Sequence, residues 1–127
     1  MALAAAATGE VDINAIARHV LIDAAAGERV LVVLQMANNE TGVLQPVGGA
    51  ASLARGYGLC VHTDAVQAAG KITVDFAGLG VDTMSLSAHK LGGPAGVGAL
   101  VIRDGMQLAS FVTGGELPRG DVPVFVF

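Results

Sequence analysis

The side chains with the most chemistry in this 127-residue sequence fall in three short polar segments. They are Asn38-Asn39-Glu40-Thr41-Gly42, His62-Thr63-Asp64-Ala65-Val66-Gln67 and Ser87-Ala88-His89-Lys90-Leu91-Gly92-Gly93-Pro94. Each lies at the end of an apolar run that reads as a strand. Asn39, Asp64 with Gln67, and His89 with Lys90 therefore stand just beyond the carboxyl ends of three strands, where open α/β sheets hold their ligands. A lysine in such a crevice attacks carbonyl carbons when its amine is partly desolvated. The Gly92-Gly93-Pro94 turn leaves room for a backbone to approach a ligand closely. The plainer reading of Lys90 is a side chain snorkelling to solvent. Asp64 can hold a positive charge inside the crevice, as a protonated pyridine nitrogen requires when its ring serves as an electron sink. It can equally be a turn residue or the N-cap of Ala65–Ala69. Gln67 is expected near Asp64 on the same helical turn, where it can bond a ring oxygen.

Two other chemistries compete for these residues. His62 and Asp64 share a strand face, and with His89 they would make a metal site only if all three converged. No metal is expected. Gly93-x-x-Gly96-x-Gly98 looks like a phosphate loop but precedes a strand and lacks the Gly-Lys-Ser/Thr ending of a Walker A loop. His19 falls on the polar side of a helix and reads as solvated. Cys60 sits among apolar strand residues and reads as an inert core thiol.

The elements that position these groups follow from hydrophobic periodicity. Ile13, Ile16, Ala17, Val20, Leu21 and Ala24 make the stripe of an amphipathic helix, with Asp12 as N-cap and Gly27 at the C′ position. The first ten residues lack a period and read as a frayed start. Arg29 to Met36 is a nearly continuous apolar run, expected as a strand covered on both faces. Pro46 opens a second helix running to about Gly56, with Val47, Ala50, Ala51 and Ala54 on one face. Gly48-Gly49 weakens that helix by roughly 1–2 kcal/mol relative to alanines. Strands follow at Leu59–His62, extending to Asp64, at Thr83–Ser87 and at Val97–Arg103. Strand, helix, strand with short links is the βαβ signature. The fold class is α/β: a central, mostly parallel sheet with flanking helices.

Composition excludes several classes. Hydrophobic residues make up 53% and charged residues 14%, too apolar a balance for disorder. Seven basic against eleven acidic residues give a net charge of −4, with no basic track for nucleic acid. The apolar run at Val30–Ala37 is too short to span a membrane. One cysteine excludes an intramolecular disulfide. No basic segment precedes the Ala-rich start, so a signal peptide is not expected and the expected location is cytoplasmic. Low charge in so short a chain points to a partner surface or to part of something larger.

The three polar segments, in this order and spacing, resemble the cysteine desulfurases, pyridoxal-phosphate enzymes of fold-type I in the class V aminotransferase group. The resemblance covers roughly Val11 to Gly115, so residues 1–115 are expected as part of the family's large domain and 116–127 as a divergent tail. It implies pyridoxal 5′-phosphate as cofactor, linked through Lys90. It further implies that Asp64 pairs with the pyridine nitrogen and Gln67 with the phenolic oxygen. Ser87 and His89 would contact the phosphate, and Asn39 would lie in the cofactor pocket. Lys90 and His89 are the implied catalytic pair. The implied substrate is L-cysteine or a similar amino acid, and the implied partners are a second copy and a sulfur-acceptor or iron–sulfur scaffold protein. In the family a mobile-loop cysteine takes the substrate sulfur as a persulfide, releasing alanine, and Cys60 does not match its position. The family's phosphate loop and ring-stacking histidine lie upstream of the matching region. A related lyase such as a selenocysteine lyase, or a non-catalytic packing module, are the alternatives.

Overall fold

The computed structural model describes residues 6–25, 30–106 and 124–126. In chain order the elements are α1 (Ile13–Ala25), β1 (Leu31–Gln35), α2 (Val47–Gly56), β2 (Cys60–Asp64), α3 (Phe76–Leu79), β3 (Thr83–Ser87), a 3₁₀ turn (Ala88–Leu91), β4 (Val97–Ile102) and β5 (Val124–Val126). The strands form one sheet in the order β1-β2-β3-β4-β5. β1, β2 and β3 run parallel, while β4 and β5 join antiparallel. The parallel trio therefore ends together, at Gln35, Asp64 and Ser87.

Strand alternation divides the sheet into two unlike faces. Val32 beside Val61, and Leu34 beside Thr63, Met84 and Val101, form the covered face. α2 lies on it through Val47, Ala50, Ala51 and Ala54, all buried, as the sequence pattern predicts. Small alanines let helix and sheet approach closely, and Thr63 satisfies its buried hydroxyl by donating to the Leu34 carbonyl at 2.9 Å. α1 adds Ile16 and Val20 to the same core. The paired glycines of α2 have a partial explanation here: a Cβ on Gly49 would stand 2.6 Å from Ile13 Cδ1, so a side chain there would displace the end of Ile13.

The opposite face departs from expectation. Leu31 is 56% exposed and Val33 62% exposed, so the described residues cover β1 on one face only. An unbroken apolar run shows that both faces tolerate burial, not that one chain supplies both covers. The start of the chain is also more tied down than expected. Gln45 accepts from the Val11 amide at 2.8 Å and donates to the Gly9 carbonyl at 2.9 Å, fastening residues 9–11 to the loop before α2. Asp12 caps α1 through the Asn14 amide at 2.9 Å. Gly27 and residues 1–5 lie outside the described residues.

Candidate active site at the carboxyl ends of β1, β2 and β3

Asp64 is the last residue of β2, in register with Gln35 of β1 and Ser85 of β3. Its carboxylate is exposed, and Oδ1 accepts from the Val66 amide at 2.9 Å. That bond starts a turn closed by the Ala68 and Ala69 amides donating to the Ala65 carbonyl. Of the two sequence readings, a turn residue is the local structure, and it leaves the carboxylate at the sheet's carboxyl edge. Gln67 lies on the same turn, with Oε1 accepting from Lys71 Nζ at 2.9 Å.

The lysine segment is positioned by β3. Ser87 ends the strand, and its Oγ lies 2.8 Å from His89 Nδ1. The chain then makes a 3₁₀ turn and closes on Gly92, whose φ of 83° is left-handed and suits glycine. The Gly93 amide donates back to the Ala88 carbonyl at 2.8 Å, and a Cβ on Gly93 would crowd Ala88 at 3.0 Å. His89 and Lys90 both project from this turn exposed to solvent. The partly desolvated setting expected for Lys90 is therefore not supplied by this chain's described residues.

The two loops are brought together by a contact that sequence reasoning missed. Gly70, at φ 75°, passes so close to Leu91 that a Cβ there would stand 2.7 Å from Leu91 Cδ2. The Asp64–Gln67 turn and the His89–Lys90 turn are thus docked through Gly70 and Leu91. On the third loop, Asn38 rather than Asn39 does the structural work: its Oδ1 accepts from the amides of Glu40 and Thr41 at 2.9 and 3.0 Å. Asn39 is exposed beside it.

His62 is bonded across the sheet. His62 Nδ1 lies 2.8 Å from Thr83 Oγ1, one strand away, which engages that ring nitrogen. Among the described residues no group of three or more His, Cys, Asp or Glu side chains could hold a metal ion. Cys60 corrects another expectation. It is half-buried at the start of β2, on the wall of a cavity, rather than in the core.

Amine, carboxylate, carboxamide, hydroxyl and imidazole at one sheet edge suit a charged, ring-shaped carbonyl compound. Pyridoxal phosphate has matching groups: a formyl carbon, a basic ring nitrogen, a phenolic oxygen and a phosphate. The donor set fits that cofactor.

The Aminotransferase class-V family profile matches residues 3–119. A cysteine desulfurase of Cereibacter sphaeroides is 51% identical over 90 residues, covering 71% of this chain and 23% of that protein. A cysteine desulfurase of Bradyrhizobium diazoefficiens is 43% identical over 119 residues, covering 93% of this chain and 29% of the relative. Among solved structures, a NifS-like protein superposes with a TM-score of 0.80 at 35% identity, over 91% of this chain and 31% of the other. The NifS-like protein of Rickettsia africae gives 0.76 at 32% identity, over 85% and 29%. SspA, solved in complex with cysteine, gives 0.78 at 30% identity, over 91% and 32%. The chain spans about a quarter of the length of the curated relatives it matches. It has the fold of the corresponding part of these enzymes. On the profile match across nearly its whole length, the chain belongs to the class-V aminotransferase family, with cysteine desulfurases among its relatives.

Proposed function

We propose that this chain forms the pyridoxal-phosphate-holding core of a cysteine desulfurase, with Lys90 as the residue that links the cofactor. The observation that supports this most is the placement of three polar loops at the ends of three adjacent parallel strands, in a chain similar to desulfurases. When bound, the cofactor supplies an electron sink for the negative charge left at the substrate's α-carbon.

The chain's own residues have distinct tasks in this reading. Lys90 Nζ would hold the cofactor at its carbonyl group and would carry a proton to or from the substrate carbon. Asp64 would accept from the ring nitrogen and favour its protonated form. Gln67, whose Oε1 is engaged by Lys71, offers its Nε2–H to the phenolic oxygen. Ser87 and His89, already 2.8 Å apart, hold the phosphate, and His89 assists the proton movements beside Lys90. Asn39 borders the pocket.

Sulfur transfer needs a thiolate beside the substrate. The chain's one cysteine, Cys60, is at the other end of β2 from Asp64, about 13 Å along the strand. Cys60 is therefore not the sulfur acceptor, and Cys60→Ser leaves the cofactor chemistry unchanged. The acceptor, a sulfur-receiving scaffold and a second copy of the chain belong to the activity of the whole family enzyme. L-cysteine is the substrate favoured here over selenocysteine, because the similar relatives are cysteine desulfurases.

Titrating pyridoxal phosphate into the chain tests the reading. A saturable visible absorbance band is expected, perturbed by L-cysteine and lost in Lys90→Ala. A band that Lys90→Ala retains, or no saturable band at all, would overturn it.

A further inference from the structure

The amino ends of β2 and β3 hold a second cluster of charged groups, unrelated to the loops described above. A cavity of about 150 Å³ is lined there by Arg55, Gly58, Cys60, Gly80, Asp82 and Arg103, among others. Arg55 comes from the last turn of α2 and Arg103 follows β4, whose antiparallel course returns the chain to this end of the sheet.

Both guanidinium groups are fixed by backbone-anchored partners. Arg55 Nη2 donates to the Gly80 carbonyl at 2.8 Å. Gly80 stands at φ 70°, and a Cβ there would collide with the Arg55 guanidinium, so the close approach depends on glycine. Arg103 Nη2 pairs with Asp82 Oδ1 at 2.7 Å. Asp82 is buried, and its Oδ2 accepts from the Val61 amide at 2.6 Å. Both oxygens of the one carboxylate are thus engaged.

Each guanidinium carries five N–H donors in a rigid fork, and these contacts use one on each. The lining therefore holds two fixed positive groups against one carboxylate, in a chain whose formal net charge is −4. Forked donors of this kind match the oxygens of an oxyanion. A cavity of this size suits a small ligand.

We propose that this cleft is a binding site for a small oxyanion of phosphate or sulfate size, held between Arg55 and Arg103. It lies at the end of the sheet opposite Lys90, and its occupancy is independent of the cofactor reading.

Cys60 lines the cavity and is the chain's one cysteine, so its reactivity reports on the cleft. The rate of Cys60 modification by the neutral disulfide dithiodipyridine is measured while inorganic phosphate is titrated, with pH and ionic strength held constant by sodium chloride. Saturable slowing is expected. In Arg55→Gln the phosphate concentration giving half protection should rise about tenfold, the usual effect of losing one charge-assisted bond. A rate indifferent to phosphate at matched ionic strength would overturn the site. So would an unchanged half-protection concentration in Arg55→Gln with its circular dichroism preserved. Should Arg55→Gln fail to fold, the parent titration decides: saturable protection supports the site and its absence refutes it. Phosphate bound at the Ser87–His89 loop alone would leave Cys60 unprotected, and would count against the proposal.

Discussion

Two aspartates, one at each end of the parallel strands, are treated in opposite ways. Asp82 is buried, with one oxygen on the Val61 amide and the other on Arg103. Asp64 is exposed, and among the described residues its side chain bonds only the Val66 amide two residues on. A buried carboxylate must have its oxygens satisfied, because leaving water without partners is costly. Asp82 is spent on holding β2, β3 and the end of β4 together. Among the described residues Asp64 uses only Oδ1, and in the proposed function Oδ2 is the atom offered to the cofactor. The same residue type is buried where the sheet is closed by its own partners and exposed where the strands end in loops.

The contrast breaks most visibly at Asp82. Asp82→Ala leaves the Val61 amide and Arg103 without their acceptor, and about 3 kcal/mol of stability should be lost in urea unfolding. Asp82→Asn, which keeps an acceptor oxygen, should recover part of it. A loss below about 1 kcal/mol for the alanine variant would show that the Asp82 network is not structural.

At Asp64 the effect should move from stability to binding. Asp64→Asn is expected to weaken pyridoxal phosphate by about tenfold or more, as loss of a charged hydrogen-bond partner does. Its unfolding free energy should stay within about 0.5 kcal/mol of the parent. Equal affinities for the cofactor would remove Asp64 from the site.

A smaller effect sharpens the comparison at the backbone. Gly92→Ala forces an L-residue into a left-handed conformation with no side-chain clash nearby, a cost of about 1 kcal/mol. Because that glycine closes the turn carrying His89 and Lys90, cofactor affinity should fall with stability. Thermal unfolding and cofactor titration on the same variant check the two together.

Much of this arrangement was legible in the chain's periodicities. The stripe of α1, the four buried positions of α2 and three strands ending in polar loops are local patterns, and local patterns survive folding. What escaped is mostly contact between distant segments. α3 has four residues and no period to detect, although Asp75 as its cap and Gly80 at φ 70° are signals a closer reading can use. The exposed side of β1 could not be read from Val30–Met36, since an apolar run is silent about which face is covered. Cys60 looked internal because its sequence neighbours are apolar, yet it opens onto the Arg55–Arg103 cleft. The docking of Gly70 on Leu91 depends on two turns whose separation in space no spacing rule predicts. For the site, the residue types were readable and their placement at one sheet edge followed from strand ends. Their burial did not follow: Lys90 is exposed where a crevice was expected.

The central claim is that Lys90 is the residue to which the cofactor is linked. Borohydride reduction of the chain saturated with pyridoxal phosphate, followed by peptide mass spectrometry, tests it directly. The pyridoxyl label is expected on Lys90. A label on Lys71 instead, or no site-specific label at saturating cofactor, would contradict the account.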